Sequence, residues 1–228
     1  MTIFGAGVLA ALGVAMAYRW FWYPAVDAQA HRQDSPSEFY LDVPGDYSPG
    51  RDWPVFVGVH GNGGTGLDCW RMWQAYADEG GFILVCPSLA DANSFSTQSA
   101  NEQTLIAILN RVSSEYATRP QVFLAGFSAG GTFVQGYAFN YPGNVSGAAV
   151  ISAGVFYTPT HRASHVPFLV IVGDQDSPRR LNGSKELAQT LAQAGYWVEL
   201  HLLPGVGHEA PPEAIELTIS FFRRVTGE

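Results

Sequence analysis

Six short, largely apolar runs, each ended by a glycine-rich or polar loop, limit the folds open to this chain. They are Val55–Val59, Phe82–Cys86, Val122–Ala125, Ala148–Ser152, Phe168–Val172 and Trp197–Leu203. A strand with one wet face alternates polar and apolar residues. Runs without that alternation suit strands covered on both faces, as in a parallel sheet. Helical patterns lie between them. Leu105, Ile108, Leu109 and Val112 repeat at i, i+3, i+4 and i+7, with Asn101 expected as N-cap. Leu187 and Leu191 mark a second helix that stops near Gly195. Ile215, Ile219 and Phe222 mark a third, with Pro211 and Pro212 near its start. Ahead of these, Phe39, Leu41 and Val43 alternate with Glu38, Tyr40 and Asp42, which predicts a half-buried antiparallel edge strand. Strands alternating with helices give an α/β domain with a mostly parallel central sheet and helices on both faces. Such sheets bind ligands beyond the carboxyl ends of their strands, so the loop after each run is where chemistry belongs.

Composition narrows the function. With 228 residues, 47% of them hydrophobic, the chain is long enough for one sizeable core and short for two ordinary domains. Acidic side chains outnumber basic ones 20 to 12, and Lys185 is the sole lysine. No basic face for nucleic acid can be assembled from these. Two cysteines, Cys69 and Cys86, make neither a zinc cage nor a disulfide framework. Both fall near the top of the sheet, where one bridge and two buried thiols are equally consistent with the sequence. No His/Asp/Cys cluster has metal-ligand spacing, so neither a metal nor an organic cofactor is implied.

Residues 1–36 read separately from the domain expected over 37–228. Ile3 to Ala17 is an unbroken apolar run, followed by Arg19 and the aromatics Trp20–Tyr23. It has the length of a signal-peptide core and falls short of the ~20 residues a spanning helix needs. Read through to Tyr23 it becomes a marginal span, with interfacial aromatics and a snorkelling arginine. The segment is expected to anchor the protein to a membrane through residues 3–23 or to export it, the side of the membrane being open. A hydrophobic helix packed on the domain is the third reading. Ala25 to Ser37 reads as a polar linker.

Four loops carry the chemistry. Val122–Ala125 runs into Gly126-Phe127-Ser128-Ala129-Gly130-Gly131, and the helical stretch Thr132–Asn140 follows. This is G-x-S-x-G in a strand–turn–helix context, which makes Ser128 a nucleophile at a tight, strained turn. The Ala129 amide opens the helix and points at developing negative charge. The bland alternative is a glycine-rich turn with an idle serine. Val55–Val59 runs into His60-Gly61-Asn62-Gly63-Gly64. The lysine of a phosphate-binding loop is absent, and no dinucleotide fingerprint fits. The loop reads as an oxyanion-hole loop contributing the Asn62 amide, with His60 holding it. Phe168–Val172 runs into Gly173-Asp174-Gln175-Asp176, and Trp197–Leu203 into Pro204-Gly205-Val206-Gly207-His208-Glu209. His208 is the candidate base. Asp174 and Asp176 are both candidates to orient it, and spacing does not choose between them. His201 reads as packed in its strand, His161 and His165 as solvated in the loop after Ala148–Ser152, and His31 as part of the linker.

With these loops in place the chain resembles the α/β-hydrolases, whose triad also runs nucleophile, acid, histidine. The resemblance covers Glu38 to the C-terminus. Within the superfamily it is similar to lidless carboxylesterases and to the feruloyl-esterase and polyhydroxybutyrate-depolymerase-like group. His60-Gly61-x-Gly-Gly, Gly173-x-x-Asp176 and Gly207-His208-Glu209 carry the likeness. In that pattern the acid is the fourth residue of G-x-x-D, which selects Asp176. The resemblance implies a serine hydrolase of small-molecule or polymer esters, without a large lid. A peptidase, amidase or thioesterase would use the same triad, and a binding protein on this scaffold is the remaining alternative. Trp70, Phe95, Phe156 and Tyr157 are the candidates for an apolar substrate wall, although helix aromatics such as Trp70 more often pack in a core.

Overall fold

The computed structural model describes residues 28–90 and 98–228. It divides into two compact units, residues 1–31 and Arg32–Glu228. Of the first, a 3-10 turn at Ala28–His31 is described. The apolar run Ile3–Ala17, and with it the expected anchor or signal, lies outside the described residues. Among those residues no helix is long and apolar enough to cross a membrane.

The second unit is one eight-stranded sheet. The strands are β1 (Arg32–Gln33), β2 (Phe39–Asp42), β3 (Trp53–Val59), β4 (Ile83–Pro87), β5 (Thr118–Phe127), β6 (Val145–Ile151), β7 (Phe168–Gly173) and β8 (Val198–Leu203). Their order is β1-β2-β4-β3-β5-β6-β7-β8. β1 and β2 run antiparallel, and all pairs from β4 to β8 are parallel. The helices are α1 (Gly66–Gly80), α2 (Gln98–Glu115), α3 (Ala129–Asn140), α4 (Pro178–Gln193) and α5 (Pro212–Thr226).

Side-chain alternation along β3 divides the core. Val55, Val57 and Val59 join the cluster with Leu105, Ile108, Phe133, Val134, Leu187 and Leu191 from α2, α3 and α4. Phe56 points the other way, into Trp73 of α1 and Phe222 of α5. Phe56, Phe82, Phe123 and Phe222 meet with centroids 5.0–5.6 Å apart. Such pairs add about 0.5–1.5 kcal/mol each beyond their burial. Every residue of β3, β4 and β7 is buried, as runs without alternation predict.

Four expectations need correction. The Trp197–Leu203 run is not covered on both faces, because β8 ends the sheet and only Leu203 of it is buried. Arg32–Gln33 is a strand and not linker, so the compact unit begins ahead of residue 37. The Arg32 guanidinium bonds Glu38 across the turn at 2.9 Å and fixes the two strands together. β2 is therefore not the edge, and Tyr40 is not on a wet face, because Trp70 of α1 covers it, with centroids 6.3 Å apart. Asn101 lies inside α2, and its side chain donates to the Ala90 carbonyl at 2.7 Å. It ties the helix to the strand β4 loop instead of capping the helix.

Candidate active site

β5 ends in the turn that carries Ser128. Its backbone sits at φ 55°, ψ −116°, a region that costs a non-glycine residue about 1–3 kcal/mol. Neighbouring contacts hold it there. The Ser128 N–H donates to the Ile151 carbonyl at 2.7 Å, and the Ser128 carbonyl accepts from Thr132 N–H at 3.2 Å. The flanking glycines are required by close approach. A Cβ on Gly126 would lie 2.6 Å from the Gly131 nitrogen, and one on Gly130 would lie 2.6 Å from the His60 carbonyl oxygen. Ala129 is the first residue of α3, where backbone N–H groups lack partners within the helix.

The other loops converge on this turn. Asp176 is buried, and its Oδ1 accepts from the Ser177 N–H at 2.6 Å. Its Oδ2 lies 2.9 Å from Nδ1 of His208, whose Nε2 lies 3.0 Å from Ser128 Oγ. A carboxylate offers only lone pairs, so Nδ1 carries the proton and Nε2 is free to accept one from the serine. Asp174 does something else: its Oδ1 accepts from the Gly205 N–H at 2.7 Å. With Gln175 N–H donating to the Val206 carbonyl at 2.9 Å, it ties the acid loop to the histidine loop. The structure thus separates the two carboxylates that spacing left equivalent.

The loop after β3 passes beside the serine. A Cβ on Gly61 would lie 3.5 Å from Ser128 Cβ, and the next residue, Asn62, is exposed. His60 is buried and holds the loop. Its Nε2 accepts from the Leu89 N–H at 3.0 Å, so Nδ1 is the donor to the Gly61 carbonyl at 2.8 Å. Behind the loop a Cys69–Cys86 disulfide, with Cα atoms 5.8 Å apart, ties α1 to β4. Of the two cysteine states the sequence left open, the bridge is the one formed.

Three features near the site were not singled out from the sequence. Phe127, the variable residue before Ser128, stacks on the His208 imidazole at 4.9 Å and 28°. Arg180 places a guanidinium nitrogen 3.7 Å from Asp176 Oδ1. Arg179 and Arg180, with Thr132, Gly154 and Val155, line a cavity of about 170 Å³ against Ser128 and Ala129. The signal available was a pair of arginines one helical turn beyond Asp176.

The apolar wall expected from four aromatics is not what lines this cavity. Trp70 is 2% exposed and packed in the core. Phe156 and Tyr157 are half-buried against the α2–α4 side of the core, and the Tyr157 N–H donates to Gln135 at 3.2 Å. Phe95 lies outside the described residues. A larger cavity of about 400 Å³ sits at the opposite end of the sheet, lined by Val55, Leu109, Thr118 and Tyr137 among others. It touches none of the converging residues, so convergence of chemistry and not volume marks the site. Among the described residues no group of three His, Cys, Asp or Glu side chains is placed to hold a metal ion.

Comparison with known proteins agrees with this architecture. Feruloyl esterase B of Thermothelomyces thermophilus is 28% identical over 59% of this chain and 51% of its own. Carboxylesterase SOBER1 of Arabidopsis thaliana is 26% identical over 52% of this chain and 54% of its own. The chain therefore spans about half the length of each of these relatives. The crystal structure of esterase PE8 superposes with a TM-score of 0.66 at 20% identity, over 81% of this chain and 97% of that one. The SOBER1 crystal structure gives 0.65 at 20% identity, over 76% and 99%. At these identities the superpositions establish the fold alone, an α/β-hydrolase sheet, and no large extra domain accompanies it among the described residues. Residues 47–210, which include the serine turn and both loops that meet it, match the model of the dienelactone hydrolase family, and the chain belongs to that family.

Proposed function

We propose that this protein hydrolyses carboxylic esters through an acyl-enzyme, with Ser128 as nucleophile, His208 as general base and acid, and Asp176 orienting the histidine. The observation that carries the reading is the continuous relay from buried carboxylate to imidazole to a strained hydroxyl, at 2.9 and 3.0 Å. His208 Nε2 takes the Ser128 proton as Oγ attacks the ester carbonyl carbon. The carbonyl π electrons move to oxygen, and the Asn62 and Ala129 amides bind that oxyanion. As the tetrahedral species collapses, His208 returns the proton to the departing alcohol. Water then repeats the cycle on the acyl group and frees the acid. Asp176 stabilises the imidazolium in both halves. The esterase names of the two relatives support an ester in preference to an amide or thioester.

We further propose that the domain works in an oxidising compartment, the apolar N-terminal run serving as its address. The Cys69–Cys86 disulfide supports this, since such bridges persist outside reducing cytosol. Cell fractionation tests it: the protein belongs with membranes or exported material, and a cytosolic location with both thiols open to alkylation defeats it.

The test of activity is hydrolysis of p-nitrophenyl esters from acetate to long acyl chains by the full chain, with Ser128→Ala alongside. Hydrolysis that disappears in the variant supports the reading. Turnover of amides or thioesters, with esters untouched, would transfer the same residues to a peptidase or thioesterase. A folded protein inert to all three classes would leave a binding protein on this scaffold.

A further inference from the structure

The sheet ends on one side at β8, which pairs with β7 alone among the described strands. The large apolar side chains most open to water in the described residues all lie on or beside this strand. Trp197 is 51% exposed, Leu200 39% and Leu202 43%. A sheet edge normally carries charge, proline or a covering element to prevent pairing with another chain. This edge instead offers Leu200 and Leu202 on one face, with Trp197 beside Glu199 and His201 on the other, and its backbone specifies what can pair with it.

Hydrogen bonds to β7 fix which backbone groups face outward. The Trp197 carbonyl accepts from Phe168 N–H at 2.8 Å, and the Leu203 carbonyl accepts from Asp174 N–H at 3.0 Å. Facing alternates along a strand, so residues 197, 199, 201 and 203 turn their N–H and C=O to β7. Val198, Leu200 and Leu202 turn theirs to open space.

We propose that a second copy of this chain pairs with β8, antiparallel about a two-fold axis through Leu200, so that one sheet continues through both molecules. A two-fold contact must bring the same strand against itself, and few registers fit. An axis through Glu199 sets that carboxylate against its own copy, which is repulsive. An axis through His201 sets Val198 opposite Pro204, which has no N–H to give. Registers further out run past the strand ends at Val198 or Leu203. The axis through Leu200 meets none of these obstacles. Leu200 pairs with its copy, and Val198 pairs with Leu202. All the outward N–H and C=O groups of these residues find partners. On the other face Glu199 stands opposite the copy's His201, twice by symmetry, at a close non-hydrogen-bonded position. Glu199 already holds Arg224 at 2.6 Å and faces its own His201 at 3.7 Å, so the arriving imidazole enters a cluster that already carries both charges. The contact also steadies the strand that leads into the His208 loop.

The test uses the full chain in mild detergent. Light scattering or sedimentation is expected to give twice the chain mass over a concentration series. Leu200→Cys and Leu202→Cys then report the register under mild oxidation, the native cysteines being already bridged. Directly opposed residues of a hydrogen-bonded pair have Cα atoms about 5.5 Å apart, within reach of a disulfide. Leu200→Cys is therefore expected to form a covalent dimer. Leu202→Cys is not, because its own copy lies four residues along, roughly 13 Å away. A monomer across the series overturns the proposal, and that measurement needs no variant. So does a dimer cross-linked through residue 202 and not 200. A dimer that neither variant cross-links, with circular dichroism melts matching the unsubstituted chain, overturns it too, by placing association elsewhere, the N-terminal segment included.

Discussion

Asp176→Asn changes one atom in a buried position, and the structure says which way the new amide must turn. Oδ1 of Asp176 accepts from the Ser177 N–H at 2.6 Å, and Oδ2 faces His208 Nδ1 at 2.9 Å. The amide has one oxygen and one NH2. Its oxygen must stay on the Ser177 N–H, since turning the amide over would leave two donors facing each other in a buried site. The NH2 group then faces His208 Nδ1, which has to accept. The proton moves to Nε2, and the imidazole presents a donor to Ser128 where the reaction needs an acceptor. Packing hardly changes, so folding is retained, while the nucleophile loses its base. A wrong tautomer of this kind costs about 10⁴ in kcat in a serine triad, or about 5.5 kcal/mol of barrier. Removing Ser128 or His208 costs more. The assay is kcat on a soluble p-nitrophenyl ester, with Asp174→Asn as control. Asp174 bonds the Gly205 N–H and not the imidazole, so its variant stays within a few-fold of the parent. If Asp176→Asn retained its rate while Asp174→Asn collapsed, the assignment of the acid would be wrong.

Gly130→Ala drives a methyl against the Val59 and His60 carbonyls; overpacking of this kind costs about 1–3 kcal/mol, so a lower melting temperature and a displaced, slower serine are expected. An unchanged melt would show that the elbow tolerates a side chain there. Cys69→Ser with Cys86→Ser opens a bridge spanning 17 residues, which chain entropy values at about 3 kcal/mol, read as a fall in denaturant midpoint that reducing the parent reproduces. Burial, with smaller contributions from Tyr141 and Glu102, raises the Tyr137 pKa to about 12 from 10.0. The folded state therefore holds that proton where the unfolded chain releases it. Stability is fully present below pH 10 and falls by about 2–3 kcal/mol as the pH approaches 12. Tyr137→Phe should flatten that part of the denaturation profile, and an unchanged slope would assign it to other groups.

The positions of the inner strands were legible because a parallel strand buried on both faces has no polar residue to hide its boundaries. Phe168–Val172 matched β7 almost to the residue. The four site loops followed from the same fact, since each apolar run ends where the sheet's carboxyl edge begins. What was not legible depends on tertiary partners. Asn101 has the chemistry of a helix cap and is instead spent on the Ala90 carbonyl. Arg32 and Gln33 have no strand pattern, because their pairing with β2 is held by an ion pair across a turn. Asp174 and Asp176 are identical in type and two residues apart; only the loop's fold decides that one meets the imidazole and the other a backbone amide. Aromatic side chains gave the least reliable reading. Trp70 is as good a pocket wall as a core residue by type, and α1 turns it inward.

The proposed chemistry stands or falls with Ser128 as an activated nucleophile. Treating the full chain with a fluorophosphonate and mapping the adduct by mass spectrometry tests it directly. One adduct per chain is expected, on Ser128, with ester hydrolysis lost in proportion to labelling and no adduct in His208→Ala. An adduct on another residue, or full hydrolysis with Ser128 unlabelled, would contradict it.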